Sequence, residues 1–356
     1  MNNSRILLLN IAVDKSDVSL GFTSSWIKEF SYQFKFVDVI TLNKNDLIEL
    51  DNVNVYGLSG KNSVGKIKKL INLRKIIREL TNLNKYDLVF SHMSPLLLII
   101  TKLFNTERST LHVLWYTHPM PNSIIKKLVL YISLLISNKV VTASNTSFPI
   151  KSKKVLNIGH AIDYENFYLE RDNVSISKFL ILSRISKSKN LDFIIDEFLS
   201  SEFNQMPLDI IGDCLTPRDY KYKQFLVNKY SHNKNINFIG KVKHENLSSI
   251  LSNYDVHFNA TNEGFYDKSV LETMANGIIN FYSNSDYSKH FSKEARDLLQ
   301  FKLEKNSLSN KLNNFKKIDS KFLTTLIGEL QKSVVSESLS SIVYRINSSV
   351  QNKPSQ

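Results

Sequence analysis

Two short stretches of this chain hold the residues best suited to chemistry. The first is Ser183-Arg184-Ile185-Ser186-Lys187-Ser188-Lys189-Asn190, which follows an apolar run at 179–182. It sets an arginine at a strand end and a lysine five residues later at a helix start. One offers a forked donor set and the other a point charge, so both can face a single anion. The second is Glu263-Gly264-Phe265-Tyr266-Asp267-Lys268-Ser269-Val270-Leu271-Glu272-Thr273-Met274-Ala275-Asn276-Gly277. It follows a strand over 256–260, turns, and becomes a helix in which Val270, Leu271 and Met274 recur at helical spacing before Gly277 stops it. Such a loop brings backbone N–H groups and a carboxylate to the C-terminal edge of a sheet, where open α/β folds bind nucleotides. A carboxylate accepts strong hydrogen bonds from sugar and ribose hydroxyls. Taken singly, each stretch is also readable as surface cations or as an acidic loop before an ordinary amphipathic helix. Together, some eighty residues apart, they define a site with an anion end and a hydroxyl end.

The elements that must position them alternate along the chain. Strands are expected over 5–13, 37–42, 52–58, 86–91, 112–116, 139–143 and 154–158, with helices over 24–34, 66–83, 95–104 and 123–136. A second series has strands over 179–183, 208–212, 236–239 and 256–260, with helices over 191–200, 220–230 and 244–252. This is the rhythm of parallel, doubly wound α/β sheets. The polar segment 163–177 reads as the linker between the two series. The expected division is 1–165, 166–335 and a C-terminal stretch 336–356 whose helix, 339–346, returns to the first domain.

Composition narrows the class. At 356 residues with 42% hydrophobic content, the chain can bury two cores. No run approaches the ~18 apolar residues of a membrane span. The N-terminus runs into Ile6-Leu7-Leu8-Leu9 with no cleavage-like site, as a first strand does. A single cysteine, Cys214, gives neither an internal disulfide nor a metal cluster. A cytoplasmic setting is expected. The net charge of +13 favours anionic partners: nucleotide diphosphates, anionic lipid headgroups or nucleic acid. No zinc-finger or RRM-type signature accompanies it, so nucleic acid is the weakest of the three. The absence of Gly-x-Gly-x-x-Gly argues against a dinucleotide dehydrogenase. The helix over 123–136 is unusually apolar and starts with Lys126 and Lys127. It either lies in the core of the first domain or rests in an anionic membrane interface at the inner face of the plasma membrane.

The 263–277 stretch resembles the acidic signature of retaining glycosyltransferases with the GT-B fold, especially glycosyltransferase family 4 (group 1). That family has Glu-Gly-Phe, then Leu-Glu-Ala-Met-Ala-x-Gly; here the second half reads Leu271-Glu272-Thr273-Met274-Ala275-Asn276-Gly277. The family places seven residues between its glutamates, whereas eight separate Glu263 from Glu272. Either the loop bulges by one residue, or Asp267-Lys268 takes over part of the sugar contact. Arg184-x4-Lys189 matches the family's diphosphate grip, with Ser183 and Asn190 where glycines are usual.

The resemblance implies two Rossmann-like domains facing a cleft and a retaining, hexosyltransferase-like transfer from a nucleotide-diphosphate sugar. The acceptor would be a saccharide or a lipid-linked one, in bacterial surface polysaccharide or glycolipid synthesis. It implies no cofactor and no metal, with Arg184 and Lys189 stabilising the leaving diphosphate. Glu272 would hold the ribose. Glu263, with the N–H groups from Gly264, Phe265 and Tyr266, would touch the sugar, Asp267 being its alternative. Gly240, in the turn after 236–239, would sit by the base. His118, after the strand 112–116, maps beside the transferred sugar. His92 follows the strand 86–91 on the acceptor side. Asp14 and Gly21 stand where the family has its glycine-rich first loop, and Asp14 either binds acceptor hydroxyls or caps the next helix. An inactive sugar-nucleotide binder would share all of these residues, and a basic nucleic-acid-binding α/β protein would share only the charge.

Overall fold

The computed structural model describes residues 4–13, 23–44, 48–58, 65–104, 107, 109–171 and 175–351. Asp14 and Gly21 lie outside them. In chain order the elements begin β1 (Arg5–Val13), α1 (Thr23–Gln33), β2 (Phe36–Lys44), β3 (Val53–Gly57), α2 (Lys66–Leu83), β4 (Leu88–His92), α3 (Pro95–Phe104) and β5 (Leu111–Trp115). They continue with α4 (Ile124–Ile136), β6 (Lys139–Thr142), β7 (Val155–Asn157), α5 (Tyr164–Phe167), β8 (Phe179–Leu182), α6 (Leu191–Leu199), β9 (Leu208–Ile211) and α7 (Pro217–Lys229). Next come β10 (Ile236–Gly240), α8 (His244–Leu251), β11 (Val256–Asn259), α9 (Lys268–Ala275), β12 (Ile279–Tyr282), α10 (Lys293–Leu299), α11 (Ser307–Phe315), α12 (Ser320–Val334) and α13 (Leu339–Gln351).

These elements form two compact units, Met1–His160 with Leu339–Gln356, and Ala161–Ser338. Unit 1 holds a seven-stranded sheet in the order β3-β2-β1-β4-β5-β6-β7. Unit 2 holds a five-stranded sheet in the order β10-β9-β8-β11-β12. Every strand pair is parallel. The sequence dictates this: β4, β8, β9, β11 and β12 are buried at every residue, as strands covered by helices on both faces must be.

In unit 1, one apolar cluster joins Leu73 and Ile77 of α2, Leu97 and Leu98 of α3, and Leu130 and Leu134 of α4 to the sheet. These three helices therefore share one face of it. Helix α4 buries Leu130, Ser133 and Leu134, while residues 122–128 are all exposed. It thus packs one face into the core of unit 1 and leaves the opposite side exposed. Lys154 Nζ clamps its C-terminal end, donating to the carbonyls of Leu135 at 2.7 Å and Ser137 at 2.8 Å. No helix among the described residues is long and apolar enough to cross a membrane.

Where it is described, the polar segment expected as a linker is packed within unit 2. Phe167 is fully buried, and Arg171 donates to the carbonyls of Tyr254 at 2.7 Å and Asn276 at 2.8 Å, at the C-terminal ends of α8 and α9. The chain passes between units at 160/161 and 338/339 instead. These passages run side by side: Ile162 N–H donates to Glu337 O at 2.8 Å, and Ile162 bridges Ser338 in parallel.

Candidate functional site

The strand order of unit 2 reverses between β8 and β11, and a crevice outside the C-terminal ends of those strands is where such sheets bind ligands. Both reactive stretches start there. Arg184 lies two residues past β8 and is exposed; Lys189 is buried to 8% exposure. Asn190 sits at φ 49°, ψ 43°, in the left-handed region that glycine adopts most readily. Asparagine tolerates that region better than most side chains, and its Nδ2 donates to Ala260 O at 2.7 Å, tying the loop to the end of β11. Gly212 answers a different need. A Cβ there would stand 1.8 Å from Ser183 O, so only glycine lets β9 pass beneath the loop bearing Arg184. Gly212 N–H donates to Gly240 O at 2.9 Å, which places Gly240 in the floor of the same edge.

Past β11 the loop turns at Asn262 to Phe265, with Phe265 N–H returning to Asn262 O at 3.3 Å and Gly264 at φ 89°. Glu263 rides the exposed tip of this turn. Its carboxylate accepts from Ser285 N–H at 3.2 Å and Ser285 Oγ at 2.6 Å. Asp267 takes the other direction. Lys189 Nζ donates to its two carboxylate oxygens at 2.6 Å each, and Asn259 Nδ2 adds a bond of 3.0 Å. Asp267 N–H meets the Tyr287 hydroxyl at 2.5 Å. Of the two candidate carboxylates, the structure brings Asp267 to the cation and turns Glu263 to Ser285. Phe265 lies under Lys189, whose Nζ is 5.5 Å from the ring centroid. Glu263 also lines an open groove of about 620 Å³ with Arg296, Lys302 and Lys311; neither Arg184 nor Lys189 is part of its wall.

Glu272 faces a third set of groups. It is 6% exposed, and His244 Nε2 lies 3.3 Å from its Oε1. That hydrogen bond raises the His244 pKa against the desolvation that would lower it. Lys268, one turn before Glu272, keeps part of its surface in solvent, yet desolvation brings its pKa down to about 8. The helix bearing Glu272 ends at Gly277, where Ile278 N–H returns to Thr273 O at 2.9 Å.

In unit 1, the described candidates are His92 and His118. His92 is 6% exposed, stacked on Trp115 at 6.2 Å and edge-on to Trp26 at 5.1 Å. It is a member of a buried aromatic wall. His118 is exposed, with its ring edge-on to Tyr116 at 6.2 Å.

Sequence reasoning did not find the partners of the acidic loop. Tyr266 stacks on Tyr287 at 4.6 Å, and its hydroxyl lies 2.7 Å from His290 Nε2. Glu337, 2% exposed, receives Lys289 Nζ at 2.6 Å and stands 3.4 Å from His290. Burial alone would raise the Glu337 pKa; the His290 hydrogen bond and the Lys289 charge overcome it and hold the carboxyl at about 2. These residues lie beyond the last motif that spacing marks, and nothing in their order along the chain pairs them.

Comparison with known proteins fits this geometry. The architecture is that of HepE from Anabaena, solved with UDP: TM-score 0.73 at 13% identity, covering 98% of this chain and 100% of that one. Sucrose-phosphate synthase from Thermosynechococcus elongatus superposes with TM-score 0.75 at 15% identity, over 98% of each chain. A glycosyltransferase from Rickettsia africae gives 0.74 at 14% identity, over 99% of this chain and 100% of the other. The fold is therefore GT-B. Residues 173–321, which contain both reactive stretches, match the family model described as glycosyl transferases group 1. No curated protein matches the chain by sequence.

Proposed function

We propose that the protein is a glycosyltransferase that moves a sugar from a nucleotide-diphosphate sugar to a saccharide or lipid-linked acceptor, with retention. The observation that carries this reading is the bond of Lys189 to Asp267 of the acidic loop at the strand-order reversal of unit 2, with Arg184 exposed at the end of β8, inside the segment that matches the group 1 family model. Arg184 and Lys189 bind the diphosphate. As the sugar–phosphate bond breaks, negative charge builds on the leaving oxygen, and fixed cations there lower the barrier more than they stabilise the ground state. No divalent metal is required where two cations meet this charge.

Glu272 accepts from the ribose hydroxyls, with His244 and Lys268 holding its charge in place. Either Glu263, released from Ser285, or Asp267 in its place contacts the transferred sugar. Retention follows if the acceptor attacks on the face from which the diphosphate leaves, with a diphosphate oxygen taking the acceptor proton. No side chain then serves as nucleophile. His118 is the unit 1 residue assigned to the sugar, and Asp14, Gly21 and His92 are assigned to the acceptor side. The relatives solved with UDP support the donor class.

The test is incubation with a panel of nucleotide sugars, with and without chelator, following thermal shift and release of nucleoside diphosphate. A raised melting temperature with one donor and slow hydrolysis of it, unaffected by chelator, is expected. Indifference to every nucleotide sugar would overturn the donor assignment. Binding without turnover in the presence of acceptor extracts would leave a sugar-nucleotide binder.

A further inference from the structure

We infer that the outer face of α4, with its neighbours α3 and α2, docks on an anionic lipid bilayer. Ile124, Leu128, Tyr131 and Leu135 follow one another at helical spacing and so form one stripe. They are 82%, 59%, 47% and 74% exposed. The residues that α4 buries, Leu130, Ser133 and Leu134, lie on the opposite side of the helix. Four large apolar side chains in line on one surface helix form a patch that monomeric proteins seldom leave bare. On α3, which packs beside α4, Leu96 and Leu103 are 54% and 72% exposed.

The charges decide what covers the patch. Lys126 and Lys127 are exposed in the first turn of α4, and Lys68, Arg74, Lys75 and Arg78 are exposed on α2. The only acidic residue in the three helices is Glu79, and it is 3.8 Å from Lys75. A protein partner matching this face would have to be both apolar and acidic over three helices. A bilayer with anionic headgroups offers both properties at the right depths: acyl chains for the stripe and phosphates for the lysines. At 13 residues α4 is about 20 Å long, too short to span a membrane but long enough to lie in its interface. The Lys154 clamp keeps the last turn of the helix closed while its first turn, residues 124–128, is exposed throughout.

This inference is independent of the donor and of the reaction. Its test is flotation of the full chain with vesicles of phosphatidylcholine alone and of phosphatidylcholine with phosphatidylglycerol. The protein is expected to float with the anionic vesicles at low salt and to be released as salt rises. Lys126→Gln and Lys127→Gln are each expected to weaken partition about fivefold. Ile124→Glu with Leu128→Glu should abolish flotation while circular dichroism and melting temperature stay as in wild type. No flotation with anionic vesicles, or flotation unaffected by the Glu substitutions, would overturn the inference. So would a light-scattering dimer that Leu128→Glu dissociates, because a second copy would then be the occupant.

Discussion

Lys189 and Asp267 form a closed pair: one ammonium, 8% exposed, bonds both oxygens of one carboxylate at 2.6 Å. The two residues are 78 positions apart and come from loops after neighbouring strands. Lys189 is thus held at the sheet edge by an internal anion, which a diphosphate bound there as proposed would have to share or replace.

The first expectation follows from this competition. Asp267→Asn removes the internal anion and keeps the hydrogen-bonding shape. Affinity for a free nucleoside diphosphate should then rise a few-fold, about 1 kcal/mol for a pair this close to the surface. Titration calorimetry with UDP reads it. Unchanged or weaker binding would show that Asp267 orients Lys189 rather than competing with its ligand.

The two cations should differ in what their loss does to folding. Arg184 is exposed, and Arg184→Ala should leave the melting temperature as it is. Lys189→Ala takes the ammonium from partly buried Asp267, so a stability loss of about 1–3 kcal/mol is expected as well. In transfer assays both variants should lose about 2–4 kcal/mol of barrier lowering, since each removes a charge facing the leaving group. Near-normal turnover in both would remove the diphosphate assignment.

The carboxylates are separable by binding and rate. Glu272→Gln weakens the hold on His244 and should reduce nucleotide affinity. Glu263→Gln should leave nucleotide affinity unchanged and lower turnover only if Glu263 leaves Ser285 for the sugar. If Glu263→Gln turns over as wild type while Asp267→Asn is impaired, Asp267 is the sugar contact.

Acid should act through Glu337. Its folded pKa, held near 2, is below the ordinary value of 4.5. The stability it contributes is complete above about pH 4.5 and is lost as pH falls toward 2. Glu337→Gln should therefore melt at a lower temperature than wild type at neutral pH, and the gap should narrow steadily below pH 4.5. Thermal melts from neutral to acid pH measure it. A gap that stays constant across the range would mean that the carboxylate charge contributes nothing.

Much of the fold was written in local pattern. Strands such as β1 and helices such as α2 and α3 are where periodicity puts them, because each is apolar on a face or throughout and ends at a turn signal. The site was legible where a motif has a backbone cause: Asn190 takes the left-handed turn before α6, and Gly277 ends α9. The partnerships were not. Asp267 with Lys189, His244 with Glu272, and Tyr266 with His290 and Glu337 join residues brought together by sheet order, which no spacing encodes. The fate of α4 was left open between core and interface for the opposite reason. Its composition is that of a core helix, and only its neighbours' positions leave one side bare.

Unit 1 is completed by a helix made only after all of unit 2. Ile342, Val343 and Ile346 of α13 have no exposed surface, and α13 packs on α1 near the start of the chain. On the ribosome, then, the N-terminal sheet waits through the synthesis of all of unit 2 with α1 uncovered. During that interval the nascent chain presents an apolar flank that a chaperone or a second nascent chain can occupy. A stop codon before Leu339 would spare every residue assigned to the donor and still release a protein whose first half stays open, so such truncations should fail by aggregation before they fail by chemistry.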